Sequence, residues 1–166
     1  MKPCEFVGVA TEFSLQKNPK AMLALLWAGS ACGILDITAA FLVYGYFGAK
    51  PIRILQGIAS GLLGPKAFAG GLATAFLGLF CHFLIAFGAA AVFLVASRFF
   101  RFLIEYAAIS GVLYGIAVYF FMNRIVLPLS AAAPQPFSTR GMIIGVVIHI
   151  FCVGLPISLI VRRFSH

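Results

Sequence analysis

Residues 141–161 read GMIIGVVIHIFCVGLPISLIV, a run without one charged side chain. A hydrocarbon core ~30 Å thick takes roughly 20 helical residues to cross, so this run is long enough for one passage. Within it Gly141, Gly145, His149, Cys152 and Pro156 step by four, four, three and four, which puts them on one face of an α-helix. That face carries an ionisable ring at mid-membrane.

Working outward, three further runs of this kind can be marked. The spans fall at about 22–47, 68–96, 102–122 and 142–161. The 166 residues are 63% hydrophobic and 10% charged, with a mean hydropathy of +1.09. Soluble domains are about a quarter charged, so the class is all-α: a polytopic membrane protein, a four-transmembrane-helix bundle. Residues 21–163 form a single transmembrane domain behind a polar N-terminal segment, 1–20. That segment carries Glu5, Glu12, Lys17 and Lys20 and no continuous apolar stretch, unlike a signal or transit peptide. The first span is then its own insertion signal.

A net charge of +8 would suggest nucleic acid in a soluble protein. Here the basic residues cluster at span ends, where lipid phosphate and positive-inside sorting account for them, so no nucleic acid is expected. Four spans place Lys2, Lys17, Lys20, Arg98, Arg101, Arg162 and Arg163 on the side of the termini. Lys50, Arg53, Lys66, Arg124 and Arg140 fall on the other side. Seven against five points to both termini in the cytoplasm.

Between spans 1 and 2, KPIRILQGIASGLLGPK is too short to cross and has basic residues at both ends. It reads as a short interfacial or re-entrant helix starting after Pro51 and stopped at Gly64 and Pro65, capping one end of the bundle. Spans 2 and 3 are joined only by SRFFR, which forces an antiparallel hairpin. After span 3 comes an irregular loop rich in Pro, Ala and Ser, ending in Ser138 and Thr139, either of which can cap span 4.

Polar residues inside the spans are few. Asp36 lies at the centre of span 1 on a seam with Gly29, Gly33 and Ala40, and His82 lies mid-way along span 2 with Gly78 one turn before it. The same G-x-x-x-H spacing recurs at Gly145 and His149. Charged groups in a bilayer cost at least ~2.5 kcal/mol and should turn inward and pair, so Asp36, His82 and His149 are expected to converge as a midplane polar cluster. Glu105, Tyr114 and Cys152 are secondary candidates, with Glu105 paired to Arg101 one turn earlier. Cys32, Cys81 and Cys152 fall in spans and read as small packing residues. Gly29, Gly33, Gly78, Gly111, Gly115, Gly141 and Gly145 are the expected close contacts. Phe76, Phe83, Phe93, Phe99 and Phe100 are expected to face lipid.

The halves show two local agreements. Gly33, Asp36 and Phe41 fall on Gly111, Tyr114 and Tyr119 at one offset, and Gly78 and His82 on Gly145 and His149 at another. A two-fold repeat of 21–97 and 102–163 would make the two halves parallel copies.

From Gly111 onward, Gly111, Gly115, Met122, the Pro128–Leu129 pair and a His-bearing last span ending in Arg162 and Arg163 resemble the YagU-like group of small bacterial inner-membrane proteins. The resemblance covers about a third of the chain. It implies a bacterial inner-membrane address and no particular chemistry.

Three functions remain open on the sequence. The first is an accessory or structural subunit, partnered by the lipid bilayer and by a homo-oligomer or larger membrane complex. The second is a proton or cation transporter or channel-like protein using Asp36, His82 and His149. The third is a redox subunit in which His82 and His149 hold haem, with Gly78 and Gly145 leaving room for the macrocycle, or in which Asp36 and Cys152 join them around a transition metal. No nucleophile, phosphate loop or carboxylate dyad marks an enzyme.

Overall fold

The computed structural model describes residues 19–134, 136 and 138–165. Most of the polar lead, with Cys4, lies outside the described residues. The first helix, α1, runs Pro19–Tyr46, and α2 follows at Pro51–Leu63. A 3-10 segment, Gly64–Ala69, leads into α3 at Gly71–Phe99. The short α4 (Phe102–Glu105) precedes α5 (Ala107–Phe121), which continues through a π-helical segment, Met122–Val126, into α6 (Leu127–Leu129). The last passage is α7 (Thr139–Ile148), a second π-helical segment (His149–Gly154) and α8 (Leu155–Phe164).

Four passages are long and apolar enough to cross a membrane: Pro19–Tyr46, Gly71–Phe99, Ala107–Leu129 and Thr139–Phe164. The protein is thus an all-α, four-span membrane bundle. Their ends differ from the hydropathy bounds for local reasons. Phe68 belongs to the 3-10 segment, so span 2 begins at Gly71. Span 3 begins at Ala107 because Tyr106, at φ −106° and ψ 46°, breaks the helix after Glu105. It then runs beyond Met122 because Asn123 donates its side-chain amide to the Tyr119 carbonyl at 2.9 Å, so a polar side chain is carried without leaving the helix.

Punctuation residues behave as their chemistry requires. Pro51 opens α2, and Gly64 closes it at φ 61°, a conformation that L side chains resist. Ser138 caps α7 by accepting the Gly141 N–H at 3.2 Å. The connection between α3 and α4 is short, leaving spans 2 and 3 antiparallel.

The bundle is packed unevenly along its length. Ala28, Cys32, Ala86, Ala90, Phe93, Val153, Ile157 and Val161 form the buried core, with Leu25, Tyr114 and Val118 against it. All lie in the half nearer the described N-terminus. Toward the opposite end α7 has no buried residue, and α1 has none beyond Ile37. Phe93 corrects the sequence reading: it is 1% exposed and is the largest fully buried side chain. Phe83 is half-buried against α1, while Phe76, Phe99 and Phe100 face outward as expected.

Glycines bring backbones together. A Cβ on Gly154 would overlap the Gly111 carbonyl oxygen, and one on Gly115 would sit 2.5 Å from the His149 carbonyl oxygen, so spans 3 and 4 cross main chain against main chain. Gly29 and Gly33 receive the rings of Phe87 and Phe83. Gly141 meets only its own cap, Ser138, and is not the interhelical contact its place on the seam implied.

The α2 helix is docked along the start of α3. Gln56, 2% exposed, donates to the Gly71 carbonyl at 2.9 Å, and Arg53 donates to the Phe68 carbonyl at 3.0 Å. A Cβ on Gly78 would overlap the Leu55 carbonyl oxygen. Gly78 lies seven residues into α3, so at ~1.5 Å per residue α2 reaches about 10 Å along the bundle. The Ala131 N–H bonds to the Gly61 carbonyl at 2.9 Å, and the Arg140 guanidinium stands 5.3 Å from the Phe47 ring centroid. These contacts gather both loops at one end.

Candidate functional site

The residues that the sequence singled out sit on α1, α3 and the last span. Because α1 and α3 run antiparallel with Gly29 on Phe87 and Gly33 on Phe83, His82 falls level with Gly33.

The polar hydrogens of these residues go to main-chain carbonyls. His82 Nε2 lies 2.9 Å from the Gly33 carbonyl oxygen and His149 Nδ1 lies 2.9 Å from that of Gly145. A carbonyl only accepts, so the bonded nitrogen must carry the proton in each case. When neutral, the two rings are opposite tautomers, with His82 Nδ1 and His149 Nε2 left as acceptors. His149 also meets the Tyr119 ring edge-on, 5.4 Å between centroids. Tyr114, which the sequence ranked second, donates its phenol to the Ala89 carbonyl at 2.7 Å and packs against Phe93, pinning α5 to α3.

Asp36 behaves differently. Its neighbours Cys32, Gly33 and Ile37 are buried, so it lies on the inner face of α1, yet it is only half-buried because packing loosens at this height. Among the described residues no donor bonds its carboxyl. Its electrostatic neighbours are the Cys32 and Cys152 thiols, and Cys32 in turn interacts with Tyr114. Neither thiol hydrogen-bonds Asp36 in the structure, which directs the bonds of His82 and His149 to the backbone. Glu105 stands apart from all of these. It is exposed in α4 and meets Arg101 through the backbone, Glu105 N–H to the Arg101 carbonyl at 3.1 Å, rather than by an ion pair.

Cys32 is a small packing residue as the sequence reading had it, 1% exposed in the buried core one turn before Asp36. The single-face seam of the last span also needs correction. A π turn takes an extra residue, so the phase slips across His149–Gly154, and the buried positions are Val153 and Gly154 at its end and Ile157, Ser158 and Val161 beyond it. Cys152 and Pro156 are turned partly off that face. Each π segment ends two residues before a proline, Pro128 and Pro156. Proline lacks an N–H and crowds the carbonyl four residues back, and wider turns just before it relieve that crowding.

The room assigned to haem is filled by protein. The backbone of α2 occupies the space beside Gly78, and the Tyr119 ring occupies that beside Gly145. Among the described residues no three His, Cys, Asp or Glu side chains gather closely enough to share a metal ion. The arrangement can tie helices together, and it leaves one carboxyl and two imidazole acceptors uncommitted. No protein-family model, curated protein or solved structure matches this chain.

Proposed function

We propose that this chain is an accessory or structural membrane subunit whose polar span residues hold its helices in register. The observation carrying this reading is that His82 and Tyr114 each spend a hydrogen on a carbonyl of a neighbouring helix, Gly33 in α1 and Ala89 in α3, whereas His149 bonds within its own span. Such bonds are worth about 1 kcal/mol in a bilayer, enough to set position in a bundle whose surfaces are otherwise uniformly apolar. Outward aromatic side chains, Phe76 and Phe80 at 68% and 66% exposure, offer a surface to lipid, to a second copy or to a larger complex. The resemblance of the second half to the YagU-like group supports a bacterial inner-membrane address. The basic count supports cytoplasmic termini.

A second reading, proton or cation handling, is favoured by one feature: Asp36, on the inner face of α1, has no bonded donor among the described residues. Proteoliposomes carrying a pH-sensitive dye separate the two. A subunit gives the proton leak of protein-free vesicles with wild type and Asp36→Asn alike. A flux that Asp36→Asn abolishes, in a protein of unchanged helicity, replaces the first reading with the second.

A further inference from the structure

The buried residues of α1, Ala24, Ala28, Gly29, Cys32, Gly33 and Ile37, share one arc of the helix. At 3.6 residues per turn, Asp36 falls near the middle of that arc, one turn after Cys32, whereas the exposed Ile34 and Thr38 lie almost opposite. Its carboxyl therefore points into the bundle, and its half exposure is exposure to the interior rather than to lipid. No donor among the described residues bonds it, and a carboxyl inside a bundle without a protein donor is left to water.

The protein on either side of Asp36 is unequal. Toward the end of Lys20 and Arg98, Ala24, Ala28 and Cys32 are 1%, 0% and 1% exposed, a closed layer about 12 Å deep at ~1.5 Å per residue. It is backed by Phe93 of α3 and by Val153, Ile157 and Val161 of the last span. Toward the α2 end, nothing on α1 is buried beyond Ile37, and Ala39, Ala40 and Val43 on its inner side are half-buried. The facing partners thin out as well. α1 packs along α8 and the π segment that begins at His149, but not comparably along α7, which has no buried residue. Asp36 thus lies where the first and last spans part, about 15 Å below the end of α1 at Tyr46.

We propose that Asp36 is the floor of a one-sided aqueous vestibule, open to water and its protons from the α2 end and closed by the core from the end of Lys20 and Arg98. The small side chains of Ala39 and Ala40 leave room for the way down, and water is the hydrogen-bond partner of the carboxyl. The vestibule is independent of both functional readings: a structural subunit keeps a hydrated carboxyl there, and a conducting protein would still have to open the core.

The test adds sulfonatoethyl methanethiosulfonate, a small thiol reagent that bilayers exclude, to sealed membrane vesicles of either orientation that carry the full chain. Labelled residues are read by peptide mass spectrometry, with the native cysteines in place. Lys66→Cys and Arg101→Cys, at exposed positions on opposite ends, identify the side that the reagent reaches. Asp36→Cys should label in the vesicles that label Lys66→Cys and lose that label in those that label Arg101→Cys. Cys32, one turn deeper, should stay unlabelled in both. Label on residue 36 from the Arg101 side, or from neither side, overturns the vestibule, and label on Cys32 from either side overturns its floor. Ala40→Cys leaves Asp36 in place and obeys the same rule, so it decides should Asp36→Cys fail to fold.

Discussion

His82 and Gly33 join spans 2 and 1 through a single hydrogen bond, imidazole Nε2 to main-chain carbonyl, 2.9 Å long. The Gly33 carbonyl lies inside α1 and keeps its helical partner when the ring is removed, so no orphaned acceptor results. His82→Ala should therefore cost only about 0.5–1.5 kcal/mol. Reversible unfolding in mixed micelles measures it, and a loss above about 3 kcal/mol would mean that the ring does more than tie two helices.

The crossing of spans 3 and 4 should be far less forgiving. Gly154→Ala places a methyl group into the Gly111 carbonyl, where the obstacle is backbone and cannot rotate away, and overpacking of this kind costs about 1–3 kcal/mol. Gly88 has nothing within 4 Å of its would-be Cβ. Gly88→Ala should be neutral or stabilising by up to about 1 kcal/mol. Thermal unfolding of the two variants side by side gives the ranking.

Phe93→Ala should cost about 3–5 kcal/mol, as for other fully buried aromatic rings. Phe76→Ala, at a position 68% exposed, should stay within about 0.5 kcal/mol of wild type. Equal effects in lipid nanodiscs would show that Phe93 does not anchor the core.

Gln56→Leu removes the side-chain donor that holds α2 to the Gly71 carbonyl. Amide hydrogen exchange across 51–63 should rise by about tenfold or more while α3 and α5 keep their protection. Unchanged exchange would mean that the Gly78 contact and the Arg53 and Gly61 hydrogen bonds hold α2 in place without Gln56.

What the sequence made legible was whatever depends on contrast between residue types. The four spans, the α2 helix between Pro51 and Gly64, the α3–α4 hairpin and the Ser138 cap are all marked by a polar, Gly or Pro residue in an apolar field. Facing was not legible. Lipid and protein interior are equally apolar, so Phe93 and Phe76 look alike in α3 although one is core and the other is surface. The π segments were invisible for the same reason, since a slip of phase leaves no trace where every position is greasy. Of the candidate site, the sequence marked Asp36, His82 and His149 as the ionisable groups inside the spans. Their bonds were not legible, because a helix carbonyl is a partner that no motif announces.

The docking of α2 along the first turns of α3 gives the described bundle two unequal girths. At the loop end a fifth helix accompanies the four passages to about 10 Å depth, whereas among the described residues the end holding Lys20 and Arg98 adds to the spans only the four-residue α4. With a helix about 10–12 Å across, the excess is roughly 100 Å² of area in one leaflet. A flat bilayer must stretch one monolayer or compress the other around such a wedge, and a bilayer bent with its convex face toward the α2 end does not. Helix area set unequally between the two leaflets makes the described bundle a wedge that fits a curved bilayer better than a flat one.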